Sequence, residues 1–177
     1  MSTNPVGGVR VRLIKDAVYT VINSGLTSLG WFNGGRQHAP LSIRTEAVKP
    51  DEEVPMNTIS IEDANITGLD AELGSFEMEN RMDYFIDFYA ESDALGTHVI
   101  NDIKDILRGK ITVLGRSTTA IPVYDVSNAT PHIIFYVDVD SVRVDRAHQF
   151  THPWQEHWYS ISLVLTDYYG SDLDGTL

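Results

Sequence analysis

The spacing of apolar and polar residues changes near the middle of the chain. Between Phe76 and Ala90 apolar residues alternate with charged ones, the period of a strand with one face buried and the other towards water or a partner. From Ala94 to Gly109 apolar residues recur every three or four positions, which indicates an amphipathic helix. Ser92 is suited to cap the first turn of this helix. We therefore expect a central strand whose apolar face is covered by this helix.

The rest of the chain predicts one more helix and several strands. An apolar stripe indicates a helix from Arg10 to about Leu29. Residues 68–75 are expected to form only a connection into the central strand. The other predicted strands are a short one at 41–45, one from Thr58 to Ile66, an edge strand from Ile121 to Val126, and two long ones, His132–Arg146 and Trp158–Tyr169.

Strict alternation assigns the side chains of strand 132–146 to two faces. One face is expected to carry Ile133, Phe135, Val137 and Val139, and the other Ile134, Tyr136, Asp138, Asp140, Val142 and Val144. The strand that follows is reached through a loop, Ala147–His157.

This order of elements indicates the α+β class. The predicted architecture is a mixed, mostly antiparallel sheet with an N-terminal helix and a second helix packed against it. Residues 10–169 are expected to form a single domain, with a flexible N-terminal arm at 1–9 and an acidic, disordered tail at 170–177.

Composition limits the possible functions. The 177 residues carry a formal net charge of −12, which argues against a surface that grips phosphate but allows nucleic acid to slide past. The chain has no cysteine, so disulfides and thiolate chemistry are excluded. The sequence has no glycine-rich phosphate loop and no convergent acid, base and nucleophile, so we expect neither a cofactor nor an enzyme. No apolar run reaches membrane-spanning length.

Three histidines in the loop raise the question of a metal site. His148, His152 and His157, with Glu156, are residue types that bind zinc. Pro153, however, prevents one helix from carrying all three histidines. The favoured interpretation is histidines at a contact surface, and a small metal-dependent enzyme is the alternative.

The same loop is rich in large aromatic side chains. Phe150 and Trp154, with Trp158 directly after the loop, are more rings than a simple connection needs, and exposed rings typically mark a protein contact. We expect a docking interface formed by these rings with His148 and His152. The alternative is a lid that folds back on the core.

Two aspartates, Asp138 and Asp140, share one face of a predicted strand. Such a pair can bind a divalent cation. The glycine and bidentate glutamate of a calcium loop are missing, however, so a solvated acidic surface is the favoured interpretation.

The sequence as a whole resembles the tail terminator proteins of long-tailed bacteriophages of the siphovirus type. The resemblance extends from Arg10 to Tyr169 and lies in the order of the elements. Its most specific part is Arg146-Ala-His148 followed by Pro153-Trp-Gln-Glu-His-Trp-Tyr159, which is similar to the terminators of actinobacterial phages.

The resemblance implies a structural role in the virion. Proteins of this family form a six-fold ring on the head-proximal end of the tail tube, stop its growth and dock on the head connector. The implied partners are further copies of the chain, the tail tube protein and the connector, with no membrane. The protein would reside in the virion and, during assembly, in the host cytoplasm. A head–tail joining protein of the neck is the alternative.

A ring of this kind surrounds DNA that passes through without specific binding. Acidic residues are therefore expected to line the channel, where they would repel phosphate. The candidates are Asp138 and Asp140, followed by Glu77, Glu79 and Asp83.

Overall fold

The computed structural model describes residues 7–32, 40–46, 48, 53–62, 65–70, 78–116, 118–125, 131–146 and 157–169. It contains two helices and seven strands in these parts of the chain. They are α1 (Gly7–Ser28), β1 (Ser42–Arg44), β2 (Thr58–Ile61), β3 (Asn65–Asp70), β4 (Met78–Tyr89), α2 (Asp93–Leu107), β5 (Ile121–Asp125), β6 (His132–Arg146) and β7 (Trp158–Tyr169).

The strands form one mixed sheet. Their order is β1-β2-β4-β7-β6-β5, and β3 also pairs with β4. Only β1 and β2 run parallel, and the other pairs are antiparallel. Helix α2 contacts β4, β6 and β7, and α1 packs beside it against β5. The predicted α+β class, with two helices on a mostly antiparallel sheet, is confirmed.

Strand β4 lies at the centre of the sheet because its alternating apolar residues have partners on both sides. Met82, Tyr84, Ile86 and Phe88 are each at most 1% exposed. They lie opposite the buried Leu165, Leu163, Ile161 and Tyr159 of β7. The face of the sheet that these residues share, the helix face, carries the core.

Helix α2 covers this face as the sequence predicts. The Ser92 hydroxyl accepts a hydrogen bond from the Leu95 amide (3.3 Å), so the expected cap is present. Its buried side is formed by Leu95, Gly96, Val99, Ile100, Ile103, Ile106 and Leu107.

Two glycines let the layers approach each other closely. A Cβ at Gly96 would lie 2.1 Å from the ring of Tyr159, and one at Gly25 would lie 2.5 Å from Ile106. Both distances are shorter than any carbon contact allows. The glycine inside α1 therefore costs helix propensity but permits α1 and α2 to pack together.

Several predicted boundaries were wrong. Helix α1 begins at Gly7, so residues 7–9 do not belong to an arm; residues 1–6 and 170–177 lie outside the described part of the chain. The strand predicted from Thr58 to Ile66 is two strands, and β3 extends through part of the expected connection. Three residues separate Ile61 from Asn65, whereas two separate their partners Ile86 and Asp83, so the register shifts by one residue.

The expected faces of β6 were also wrong. Register shifts lie between Val123 and Tyr124 of the β5 pairing and between Val139 and Ser141 of the β7 pairing. Each extra residue reverses the alternation beyond it. Val142 and Val144 therefore share the helix face with Val137 and Val139, and Ile133 lies on the opposite face, with Tyr136.

Candidate functional site on the outer face of the sheet

Side chains that point away from α1 and α2 form the outer face of the sheet. On β4 and β7 these side chains lie opposite one another in regular rows. The register places Arg81 opposite Thr166, Asp83 opposite Val164, Phe85 opposite Ser162, Asp87 opposite Ser160 and Tyr89 opposite Trp158.

The two aspartates of β6 are exposed at this face. Asp138 lies opposite Thr166, and Asp140 is the extra residue of the bulge before Ser141. The Thr166 hydroxyl donates a hydrogen bond to the Asp140 carboxylate. Among the described residues neither aspartate forms an ion pair. The bulge therefore presents two uncompensated negative charges from β6.

Two other aspartates of the outer face are each compensated by an arginine two residues away on the same strand. Arg81 Nε lies 3.5 Å from Asp83 Oδ1, and Arg143 Nε lies 3.1 Å from Asp145 Oδ1. Exposed pairs of this kind add little stability. They do cancel the charge, so Asp83 contributes less negative potential than Asp138 and Asp140.

Two of the candidate channel acids are not placed by these observations. Glu77 lies outside the described residues. Glu79 belongs to β4 by its backbone, between Leu69 of β3 and Tyr168 of β7, and its side chain is outside the described part. The role of both residues stays a prediction.

The predicted docking residues fall mostly outside the described chain. His148, Phe150, His152 and Trp154 all lie there. Trp158 begins β7, is half-buried, and stacks on Tyr89 with ring centroids 5.7 Å apart. It fixes the end of the loop to the outer face of its own sheet, and its part in docking stays a prediction.

One carboxyl group on the outer face is buried. Alternation puts Asp87 on the polar side of β4, which is expected to face water or a partner, and Asp87 is only 4% exposed within the chain itself. Burial raises the pKa of Asp87, and interactions with Ser160, Trp158 and Glu62 partly oppose that rise. Asp87 Oδ1 and Trp158 Nε1 are both buried without a well-aligned hydrogen-bond partner among the described residues.

Glu62 is the second member of this carboxyl pair. Its amide donates to the carbonyl of Phe85, so Glu62 lies diagonally across from Asp87. Burial raises the pKa of Glu62, the charge of Asp87 raises it further, and Lys15 and Arg44 oppose the rise.

Residues at both ends of the connection between β1 and β2 are hydrogen-bonded to side chains of β2, whose Ser60 lies opposite Asp87. The Ser60 hydroxyl donates to the Glu46 carbonyl (2.7 Å), and the Thr58 hydroxyl donates to the Pro55 carbonyl (2.7 Å). Alternation alone does not signal the burial of Asp87, since it places the buried Asp87 and the exposed Arg81 on the same face of β4.

Within the described part of the chain, no three histidine, aspartate or glutamate side chains are grouped so that they could hold a metal. His148 and His152 are outside it, so the histidine cluster is untested. None of the described helices is both long and apolar enough to cross a bilayer.

No protein-family model matches this chain, and no curated protein matches its sequence. The resemblance to tail terminators therefore stays an expectation based on the sequence.

Proposed function

We propose that this protein is a structural virion protein that caps the head-proximal end of a phage tail tube. As a ring, it stops growth of the tube and provides the docking surface for the head connector. The observation that carries the proposal is the exposed pair Asp138 and Asp140 on the outer face, in a chain with a net charge of −12. The resemblance of the sequence supports it.

The charge distribution suits a wall past which DNA slides. Tight binding to duplex DNA requires Lys and Arg that replace the counterions of phosphate. Two arginines of the outer face, Arg81 and Arg143, are paired with Asp83 and Asp145 and offer little to phosphate. Asp138 and Asp140 add a negative field that repels the backbone.

The proposed partners are further copies of the chain, the tail tube protein and the head connector. Six copies are expected from the family resemblance. Copies that meet through two different surfaces form a closed ring when the rotation between neighbours is a whole fraction of a turn. The protein then acts in the virion, after assembly in the host cytoplasm.

Mass measurement of the purified protein, free and bound to tail tubes, tests the ring. A closed oligomer on the tube end is expected, and a strict monomer even on tubes would overturn the proposal. An image of the assembled particle separates a terminator, which lies directly on the tube, from a neck protein, which does not.

A charge reversal tests the channel wall. Asp138→Lys with Asp140→Lys should give a ring that binds duplex DNA at low salt and releases it as the salt concentration rises. The reason is that the introduced lysines displace counterions from the DNA phosphates. The control is Asp16→Lys with Glu53→Lys, the same change of charge at exposed residues elsewhere. Equal DNA binding by both variants, or tight binding by the wild type at moderate salt, would contradict the sliding wall.

A further inference from the structure

A shallow cleft lies between the turn at residues 113–116 and the hairpin of β5 and β6. Its volume is about 250 Å³. Leu114, Ile133 and Tyr136 line it and are 52%, 41% and 58% exposed, respectively. Sites for small molecules usually measure roughly 300–1,000 Å³. The cleft is therefore suited to one or two side chains of another protein.

A bulge concentrates apolar side chains at this cleft. Val123 of β5 lies opposite Phe135, whereas the next residue, Tyr124, lies opposite Ile133. One residue of β6 is extra at this point, which reverses the alternation. Ile133 and Tyr136 consequently reach the same side of the hairpin and line the cleft together with Tyr124.

Leu114 occupies a backbone conformation that leucine rarely adopts. Val113 and Arg116 exchange two backbone hydrogen bonds (3.2 and 2.8 Å), and the two residues between them have φ of +53° (Leu114) and +73° (Gly115). Two-residue turns with positive φ at both positions favour Asn-Gly. A bulky residue is disfavoured there, and Leu114 is half-exposed, so its side chain contributes little to the core. Strain of this kind indicates a functional role.

Arg116 holds the turn in place. Its buried guanidinium donates hydrogen bonds to the carbonyls of Leu107 (2.9 Å), Ile106 (3.3 Å), Thr119 (3.1 Å) and Ala120 (2.5 Å). Two of these carbonyls, those of Ile106 and Leu107, belong to the last turn of α2, where carbonyls lose their regular helical partners, although Ile106 also accepts a hydrogen bond from the Gly109 amide (3.0 Å). The turn is therefore fixed to the end of a core helix, and Leu114 is held ready before any partner arrives.

The exposed edge beside the cleft is poorly suited to adding a strand. Pro122 in β5 has no amide hydrogen to donate, and the bulge interrupts the hairpin. A partner is therefore expected to bind through side chains that enter the cleft.

The chain's own aromatic loop cannot reach this cleft. The cleft lies at the Tyr136 end of β6, whereas residues 147–156 leave the other end at Arg146 and return at His157, whose carbonyl binds the Ala90 amide. Tyr136 and Arg146 are ten positions apart along the strand, a distance of about 33 Å. Ten loop residues fixed at both ends extend at most about 18 Å. The same loop of a second copy has no such limit.

We propose that the Leu114 cleft receives Phe150 and Trp154 from residues 147–156 of a second copy. The cleft and the loop lie at opposite ends of β6. Each copy can therefore insert its loop into the cleft of one neighbour and accept the loop of another neighbour in its own cleft. Such a contact joins copies head to tail and can close into a ring. Aromatic rings that fill a partner's pocket often carry much of an interface's affinity. The inference rests on the ring of the proposed function and names the contact that joins its subunits.

Site-specific cross-linking tests this contact, because the chain has no cysteine of its own. Thr118→Cys places a thiol at the cleft, and Gln155→Cys places one beside Trp154 without removing an anchor. A short bis-maleimide should link the two variants when they are mixed, and neither variant alone. A chain with both cysteines should give a ladder of linked multimers. Asp16→Cys, exposed on α1, replaces Thr118→Cys in the control mixture and should not link.

The outcomes separate the contact from the ring itself. A closed ring by mass, with no link between residues 118 and 155, overturns the contact and leaves the proposed function standing. Self-linking of Thr118→Cys alone shows that cleft meets cleft, which also overturns it. A wild type that is monomeric even on tubes overturns both.

Replacement of Leu114 gives a second test. Leu114→Asn should raise or preserve the melting temperature, because asparagine tolerates positive φ, yet weaken assembly about tenfold or more. Phe150→Ala with Trp154→Ala should weaken assembly to a similar extent. Combining these two changes with Leu114→Asn should weaken assembly by less than the sum of the separate effects. The control is Met56→Asn, 48% exposed and not among the cleft residues, which should assemble normally. Normal assembly of Leu114→Asn overturns the contact.

Discussion

The surroundings of a buried ionisable residue decide whether its charge is stabilised. Arg116 is surrounded by carbonyls, and Arg10 is paired with Asp167, so these charges have partners. Asp87 is different, since burial raises its pKa and its neighbour, the half-buried Glu62, is also an acid. Burial of an acid opposes its ionisation, which ties the stability of the fold to pH.

Replacement of Asp87 tests this link. Because the pKa of Asp87 is raised in the folded state, the folded chain holds a proton that the unfolded chain loses. Stability should therefore fall as pH rises from the ordinary aspartate pKa through the raised one. Asp87→Asn should raise the melting temperature at pH 7, each ~1 kcal/mol regained giving about 2–4 °C in a domain of this size. Melting curves from pH 4 to 7 measure both effects.

The exposed Asp16 provides the comparison for that experiment. Asp16→Asn should leave the pH dependence of melting unchanged. A lower melting temperature for Asp87→Asn at pH 7 would mean that the charged carboxylate stabilises the fold, contrary to this account.

At the scale of whole elements, the sequence predicts helices and strands best where one period of apolar and polar residues continues without interruption. Strand β4 and helix α2 follow their patterns closely, and Ser92 caps α2 as expected. The break between β2 and β3 and the two bulges of β6 carry no comparable signal, because one extra residue reverses alternation without changing composition. The faces assigned to Val142 and Ile133 were wrong for that reason.

In the candidate site, too, some features can be predicted from local sequence patterns and others cannot. Asp138 and Asp140 are exposed, as their polar alternation suggests. The burial of Asp87 depends on packing in the folded sheet, and the positive φ of Leu114 is visible only in backbone angles. Local patterns cannot show either feature.

Helix α2 provides a stability prediction at this scale. Val99→Asp, or Ile103→Asp, should prevent folding, because each side chain is 0% exposed between helix and sheet and a lone charge there costs several kcal/mol by rough estimate. His98→Asp places the same charge on the exposed side of the same turn and should melt close to the wild type. Soluble Val99→Asp protein with a cooperative melt would show that α2 does not cover the core.

For the whole molecule, one ion pair joins the two ends of the described chain. Arg10, in the second turn of α1, lies 157 residues before Asp167 in β7. The guanidinium Nη2 lies 2.6 Å from Asp167 Oδ1, Nε binds the other carboxylate oxygen, and the group covers the ring of Phe135 at 3.6 Å. A two-point contact of this kind fixes orientation as well as distance, so it ties α1 to two strands at once.

Breaking that pair should therefore cost far more than removing an ordinary surface charge. Arg10→Met or Asp167→Asn alone should destabilise the fold by roughly 3–5 kcal/mol, because each breaks a buried ion pair by removing one of its two charges. Arg10→Met with Asp167→Leu removes both charges and should cost much less than the sum of the single changes. Arg12→Met, at an exposed residue of the same helix, is the control and should change stability little. Chemical denaturation of the four variants measures the free energies of unfolding. Equal, small losses for Arg10→Met and Arg12→Met would show that the pair does not hold the ends of the fold together.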